Sequence, residues 1–480
     1  MVNRGRPSRN CFPCRRRKLR CDLQPNGCGQ CLRAELVCHG YRDPSQLAFR
    51  DETAATKQKV LARRAAATGQ PSPASLQLGW DVRARYAFFS VYIMRLSKSY
   101  GALAPLYSRA ASTHHLHASV DAVSLAFMAC HLDNPALMRP AREKYVLAVQ
   151  SLGQALRDPQ ASMTDETLQS VLLLDLYEKM VNRDVRNPVT WMSHVRGAMT
   201  LVGARGRRNL STPLAFELAS RVAETLTISY AAAGLHLPEE LTALRRALDS
   251  GSVAAGPRWD YTAVTADMMN FLVDVRTGKM ASPAAVVSKA RTFDSQLADL
   301  EKRLPASWEA RRVYTSGQNP CVFGCYYDVY PTHFATQARN SIWVMRLILN
   351  DIVQQKQEPG GPASSGGAST TSAAKNIADI TRQICASIPQ FILPDARAGN
   401  SVPFSPLQRL QCHTLLPKLH LAGKLSTDTH MQSWIIGLLE HIAEVGSIKM
   451  ARDIANLLRM RLDIDFWTAY VMTGSYALAA

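Results

Sequence analysis

The sequence has no long apolar run. The longest, such as VLLL at 171–174, fall far short of the roughly 18 residues that a membrane-spanning helix needs. The N-terminal MVNRGRPSRN is charged and has no apolar core, so it does not have the pattern of a secretory signal peptide. These absences argue against a membrane or exported protein. They predict a chain that stays in the reducing compartments of the cell, where clustered cysteines bind metal more often than they form disulfides.

The sequence also lacks the common catalytic signatures. It has no G-x-S-x-G motif, no phosphate-binding glycine loop and no H-E-x-x-H zinc motif. Two groups of reactive side chains remain, Cys321 and Cys325 with His333 downstream, and the HHLH run at 114–117. We interpret the two thiols as buried core groups on a helix or turn and the histidines as a polar helix start. The sequence therefore predicts that the protein is not an enzyme.

Acidic residues are scarce in the first part of the chain. The formal net charge of the 480 residues is +18. The first 70 residues hold 15 Lys and Arg against 5 Asp and Glu, whereas the rest hold 41 against 33. A basic head on a nearly balanced body predicts that the head binds a polyanion.

Six of the 11 cysteines repeat one unit, C-x2-C-x6-C, twice: Cys11, Cys14, Cys21, Cys28, Cys31 and Cys38. Two C-x2-C pairs are typical of thiolate zinc sites. Six thiolates can complete two four-coordinate ions only if two of them bridge, so the spacing predicts a binuclear cluster with two zinc ions. Its core charge is about −2, which does not repel nearby arginines. A disulfide knot or a chance spacing agrees less well with both the count and the symmetry.

The segments CFPCRRRKLRCD and CGQCLRAELVC resemble the fungal zinc-cluster transcription factors. Pro25, followed by Asn26 and Gly27, predicts a turn between the two halves, and a proline in this loop is usual in the family. The resemblance implies two bridging thiolates and one terminal pair for each ion: Cys11 and Cys28 as bridges, Cys14 with Cys21, and Cys31 with Cys38.

The resemblance also implies how the basic run is used. Each half is expected to hold a short helix after its C-x2-C pair. Only the first half is rich in cations, since LRAELV at 32–37 has one Arg and one Glu. The first helix is therefore expected to enter the major groove and the second to support it. Lys18 is expected to read G·C pairs in a CGG-type triplet. The other cations are expected mostly to bind phosphates: Arg15, Arg16, Arg17 and Arg20, with Arg4, Arg6 and Arg9 of the preceding arm.

We divide the chain into a zinc-cluster domain at 1–42, a linker at 43–77 and a helical body at 78–480. Residues 45–67 have a helical pattern, which fits a single amphipathic helix better than a dimerising coiled coil, and TGQPSPAS at 68–75 predicts a flexible break. Within the body, 354–374 is of low complexity and is predicted to be a disordered loop. The fold class is thus a small zinc-stabilised module of two short helices followed by a mostly all-α regulatory domain.

The body has strong helical patterns. In TDETLQSVLLLDLYEKM, Thr164 is placed to cap a helix whose apolar residues are buried on all sides. The segment WMSHVRGAMTLVGARG predicts another helix, closed by Gly203 and Gly206. These stretches, with GYRD at 40–43 and FRDE at 49–52, resemble the fungal-specific transcription factor domain. That resemblance implies a nuclear activator that controls a metabolic or secondary-metabolite gene cluster.

Several alternatives stay open at this stage. The cluster could serve a protein-interaction adaptor that does not bind DNA, or stabilise the N-terminus of an enzyme, although the body has no catalytic constellation. The tail RLDIDFWTAYVM is either an acidic-hydrophobic activation segment or an ordinary last helix. The body is expected to bind coactivators or a small-molecule effector between its helices, and the sequence allows either a monomer or a homodimer on DNA.

Overall fold

A computed structural model describes most of the chain: residues 8–41, 78–97, 100–109, 113–132, 134–182, 188–249, 257–280, 282–356 and 366–478. The chain divides into two compact units, Met1–Gln77 and Leu78–Ala480. The helix and the break predicted within 43–77 lie outside the described residues.

The first unit is organised around its cysteines. It has two short helices, α1 (Phe12–Arg16) and α2 (Gly29–Leu32). Five cysteines form its buried cluster, with Cys38 and Tyr41 packed against them. Within residues 8–41 no other buried apolar cluster exists, so the fold of this small module depends on what the thiols bind.

The second unit is helical, as predicted. Its first helix, Trp80–Ala87, continues into a π-helix at Phe88–Leu96. The α-helices are α3 (Trp80–Ala87), α4 (Leu103–Arg109), α5 (His114–His131), α6 (Met138–Ala155), α7 (Asp165–Val181), α8 (Pro188–Arg205), α9 (Pro213–Ala233), α10 (Glu239–Asp249), α11 (Pro257–Arg276), α12 (Pro283–Lys302), α13 (His333–Lys356), α14 (Gly366–Ala386), α15 (Pro406–His413), α16 (Leu416–Leu425), α17 (Thr429–Val445), α18 (Lys449–Arg459) and α19 (Phe466–Met472). The described strands are β1 (Arg311–Tyr314) and β2 (Tyr326–Val329), paired antiparallel.

The helical unit has two hydrophobic cores. Helices α3–α10 build the first, and α11–α14 with α16–α19 build most of the second. Helix α9 joins them, because Leu226 lies in the first core and Ala231 in the second. The chain end returns to the first core through Ala477 and Leu478. Neither core includes a residue of the cysteine module.

Helix α7 confirms the sequence interpretation. Thr164 is its N-cap, and its hydroxyl accepts a hydrogen bond from the backbone N–H of Thr167 at 3.3 Å. Leu172, Leu173 and Leu174 are at most 2 % exposed, because α5, α6 and α8 pack around the helix. Burial on all sides explains why apolar residues occur on every side of this helix.

Replacing Thr164 with alanine tests this cap. Thr164→Ala is expected to lower the free energy of unfolding by about 1 kcal/mol, because an amide of the first turn loses its acceptor. Thr164→Ser keeps the hydroxyl and serves as the matched control, with a stability close to that of the wild type. Urea unfolding followed by circular dichroism measures both, and equal losses for the two variants would contradict the capping role.

Three sequence predictions need correction in the body. Parts of the segment 354–374 that was predicted to be a loop are helical, since α13 extends to Lys356 and α14 begins at Gly366. Burial of Ile377, Ile380 and Ile384 stabilises α14 despite the glycines at its start. Gly203 lies inside α8, and Gly206, with a φ of +50°, follows its end.

The third correction is the hairpin β1–β2, which the sequence analysis missed. Its strands are four residues long and do not alternate clearly between apolar and polar side chains. Cross-strand contacts stabilise it: the Arg312 guanidinium donates to the Asp328 carboxylate at 2.9 Å and stacks 4.0 Å from the Tyr326 ring centre.

For the tail, the sequence left two alternatives open. It forms α19, whose Phe466 and Tyr470 are 6 % and 8 % exposed in the second core. Asp465 caps this helix by accepting a hydrogen bond from the N–H of Thr468 at 3.0 Å. The structure favours an ordinary last helix over an activation segment. Among the described residues, no helix is both long enough and apolar enough to cross a lipid bilayer.

Candidate zinc centre and nucleic-acid interface

The 17-residue spacing of the cysteine unit reappears as a structural repeat. Cys11 is the N-cap of α1 and Cys28 the N-cap of α2, and the second cysteine of each C-x2-C pair lies within the helix. The amide of Cys31 donates to the Sγ atom of Cys28 at 3.3 Å. A short helix that starts at the first thiol turns both sulfurs of its pair to the same side, and this orientation suits bidentate binding of one ion.

The sulfur atoms form two groups of four, and the atoms of each group lie within 4.8 Å of one another. The groups are Cys11, Cys14, Cys21 and Cys28, and Cys11, Cys28, Cys31 and Cys38. They share Cys11 and Cys28, the two residues that the resemblance assigns as bridges. That assignment stays a prediction, and the shared sulfurs support it.

The sulfur separations fit zinc. The Sγ atom of Cys28 lies 3.6 Å from that of Cys11 and 3.5 Å from that of Cys14. A tetrahedral zinc with Zn–S bonds of about 2.3 Å places its sulfurs about 3.8 Å apart, whereas a disulfide needs about 2.05 Å. None of the six cysteines forms a disulfide in this structure. The sulfur separations therefore favour the zinc interpretation over the disulfide knot.

The thiols also differ in acidity. Burial opposes ionisation of Cys28, but hydrogen bonds from Cys31, Cys14 and Cys11 outweigh it and lower its pKa to about 6. Burial and the hydrogen bond to Cys28 raise the pKa of Cys14 to about 12. Cys28 thus ionises readily, whereas Cys14 needs a nearby cation to do so, and a thiolate-binding metal supplies that charge.

The basic run begins within α1 and continues past its end, and the structure corrects one expectation about it. Helix α1 starts within the C-x2-C pair and ends at Arg16, so Arg17 is its C-cap and Lys18 lies beyond it. Lys18 has a φ of +55°, and the amide of Leu19 donates to the carbonyl of Cys14 at 2.9 Å. This Schellman-type turn presents Lys18 at the carboxyl end of the helix and not on its face.

The second half has the same turn with the opposite charge. Glu35, 17 residues after Lys18, has a φ of +52°, and the amide of Leu36 donates to the carbonyl of Cys31 at 3.0 Å. Arg16, Arg17, Lys18 and Arg20 are all exposed. The positive charge of the described module is therefore concentrated on its first half. Arg4 and Arg6 of the arm lie outside the described residues.

Asp22 links the halves, a contact that the sequence analysis missed. Its two carboxylate oxygens accept from the backbone N–H of Gly29 at 3.1 and 3.0 Å, at the start of α2. The predicted turn is present as well, since the amide of Gly27 donates to the carbonyl of Gln24 at 3.2 Å and Gly27 has a φ of +116°. The carboxylate directly after Cys21 could have indicated this cap, because acids favour helix N-termini.

Removing the Asp22 carboxylate tests this link. Asp22→Ala is expected to weaken zinc-coupled folding by about 1 kcal/mol, roughly fivefold in apparent zinc affinity, because the first amide of α2 loses its acceptor. Glu35→Ala makes the same charge change at an exposed residue and is the control. Competition with a chromophoric chelator measures both variants, and equal weakening would show that only net charge matters.

The other candidate groups do not form a second metal site. Among the described residues, the only clusters of three or more potential metal ligands are the two cysteine groups. In the hairpin loop Cys321 is buried but Cys325 is exposed, so the core interpretation holds for the first alone. The HHLH run begins α5 as predicted. The imidazole of His115 pairs with the hydroxyl of Thr167 at 3.3 Å.

The site therefore defines a zinc-binding domain with one strongly basic half. The model of the fungal Zn(2)-Cys(6) binuclear cluster domain matches residues 9–48, and that of the fungal specific transcription factor domain matches residues 87–231. The chain thus has the two domains of a fungal zinc-cluster transcription factor. The second match covers most of the first helical core and ends within α9. No curated protein and no solved structure matches the chain.

Proposed function

We propose that the protein is a sequence-specific transcription factor that reads CGG-type triplets in double-stranded DNA and activates transcription by RNA polymerase II in the nucleus. One observation carries this proposal. Two sulfur tetrads share Cys11 and Cys28, and an exposed run of cations follows directly from them. A metal-held basic segment of this size fits the major groove.

Each residue has a stated role in this proposal. Two zinc ions fix the relative positions of α1 and α2, with Cys11 and Cys28 as bridges and the other four cysteines as terminal ligands. Lys18 donates to guanine O6 and N7, because it extends from the end of α1. Arg15, Arg16, Arg17 and Arg20 neutralise phosphates and set the orientation on the duplex.

The domain assignment is part of the proposal. Residues 1–42 bind DNA, 43–77 connect, and 78–480 regulate. The two-core helical unit responds to a small-molecule effector or recruits coactivators, and the regulated genes form a metabolic or secondary-metabolite cluster. The division of the chain into units at Gln77 and Leu78 is consistent with this arrangement.

Selection from random DNA with the zinc-loaded full chain, at near-physiological salt, tests the proposal. We expect enrichment of a CGG-like triplet, either alone for a monomer or as a spaced pair for a homodimer. If two zinc ions bind to each chain but no sequence is enriched, the proposal of sequence-specific DNA binding is wrong. The module would then serve protein interaction. The same selection after zinc removal controls for binding by charge alone.

A further inference from the structure

The helical unit contains a cavity of about 150 Å³ at the junction of its two cores. It lies between α9, α11, α13, α16 and α19, and most of its wall is apolar or aromatic, including Phe334, Ile342, Met345 and Trp467. A protein cavity of about this volume can hold a single benzene ring. A small molecule in this space would contact both cores at once.

A buried lysine lines the cavity. Lys418 is 5 % exposed and lines the cavity, and its ammonium donates to the side-chain carbonyl of Gln337. Among the described residues, no carboxylate forms an ion pair with it. Burial lowers the pKa of Lys418 to about 7. Burial thus disfavours the charged form of Lys418, and no neighbouring anion offsets that cost. A ligand carboxylate bound beside it would supply the countercharge and favour the ammonium.

A second polar side chain that lines the cavity, the imidazole of His333, has a ring nitrogen that is not hydrogen-bonded within the described residues. His333 is 7 % exposed, and its Nδ1 atom has no hydrogen-bond partner. Burial lowers the pKa of His333 to about 3, so the ring is neutral. His333 and Gln337 are one turn apart on α13, and the amide of Gln337 donates to the hydroxyl of Thr414 at 2.7 Å. Together with Lys418 and Thr414 these groups form a polar patch in the otherwise mostly apolar lining of the cavity.

One carboxylate, that of Glu224, also lines the cavity, but it does not neutralise Lys418. Glu224, on α9, is 9 % exposed. It interacts electrostatically with Arg221 and Arg245, and its negative charge contributes to raising the pKa of Arg221 against the opposing effect of burial. Its charge is therefore compensated by arginines, whereas that of Lys418 is not.

We propose that this cavity binds a small carboxylic acid whose apolar body is no larger than one ring, with the carboxylate accepting hydrogen bonds from Lys418 and the body packed against Phe334 and Trp467. The proposal names the chemical class of the effector and rests on the proposed regulatory role of the helical unit. Binding itself can be measured without DNA, so its failure is distinguishable from failure of DNA reading.

Benzoate is the probe, with benzamide as its neutral isostere, and binding to the zinc-loaded full chain is measured by calorimetry. Benzoate is expected to bind at least about tenfold more tightly than benzamide, because charge-assisted hydrogen bonds are the stronger ones. 2-Naphthoate, with two fused rings, is expected to bind less tightly than benzoate. Equal affinities for benzoate and benzamide, or no saturable binding of benzoate, would overturn the proposal with the wild-type protein alone.

Lys418→Met separates the charge from the packing. Methionine has a similar length and no charge to bury, so the thermal midpoint is expected to stay or rise while benzoate affinity falls at least about tenfold. Lys449→Met removes an exposed lysine on α18 and is expected to change neither value. Unchanged benzoate affinity in a folded Lys418→Met protein would overturn the proposal.

Discussion

Cys28→Ala is expected to abolish binding of both zinc ions and all specific DNA binding, whereas Cys38→Ala is expected to lose one ion. Cys28 belongs to both sulfur tetrads and is fully buried, but Cys38 belongs to one and is only partly buried. Cys28 is also the N-cap of α2, so its loss removes a helix cap along with the ligand. Structural zinc in small domains contributes about 10–16 kcal/mol of apparent folding energy, which no other contact in this module can replace.

Zinc content per chain, by mass spectrometry of the metal, measures this difference. The helical signal in circular dichroism serves as the internal control, because the two cores of the second unit contain none of these six cysteines. Retention of one zinc ion in Cys28→Ala would mean that Cys28 does not bridge. Equal zinc content in the two variants would contradict the unequal roles of the two thiols.

The zinc site could be predicted from the sequence more completely than the fold, because it depends on residues that are close in sequence. The six cysteines lie close together in sequence, so their spacing is enough to indicate two ions that share ligands. Thr164 and the turn at Gly27 depend on neighbouring residues and were also predictable. The left-handed backbone conformation of Lys18 was not predictable, because no sequence pattern marks a positive φ at a non-glycine residue.

Contacts between distant segments explain what was missed. The hairpin depends on pairing of Arg312 with Asp328, which only the folded chain brings together. Lys418 stands in LPKLHLAGKL, where nothing distinguishes it from Lys424, a lysine that pairs with Asp463. The two lysines differ because α16 directs the first toward the cavity, and this orientation is set by the packing of α13 and α19.

The second large effect is expected at Lys18. Lys18→Ala is expected to weaken specific DNA binding by about 1–3 kcal/mol and to reduce the preference for the G·C pairs of the site. Alanine at a φ of +55° has the same Cβ strain as lysine, so folding of the module is expected to change little. Binding to a consensus duplex and to single-base variants, measured at one salt concentration, gives both quantities.

Arg16→Ala is the matched comparison, since it removes an equally cationic, exposed side chain from the last residue of α1. It is expected to weaken binding to all sequences alike and to reduce the slope of log affinity against log salt by about 1, because one phosphate contact is lost. A difference of this kind between the two variants would support both assignments. Lys18, in the turn, would then contact bases, and Arg16, on the helix, would contact the phosphate backbone of the DNA. If Lys18→Ala instead changed the salt slope and left the base preference intact, the Lys18 side chain would contact a phosphate. Another residue of the module would then have to recognise the bases.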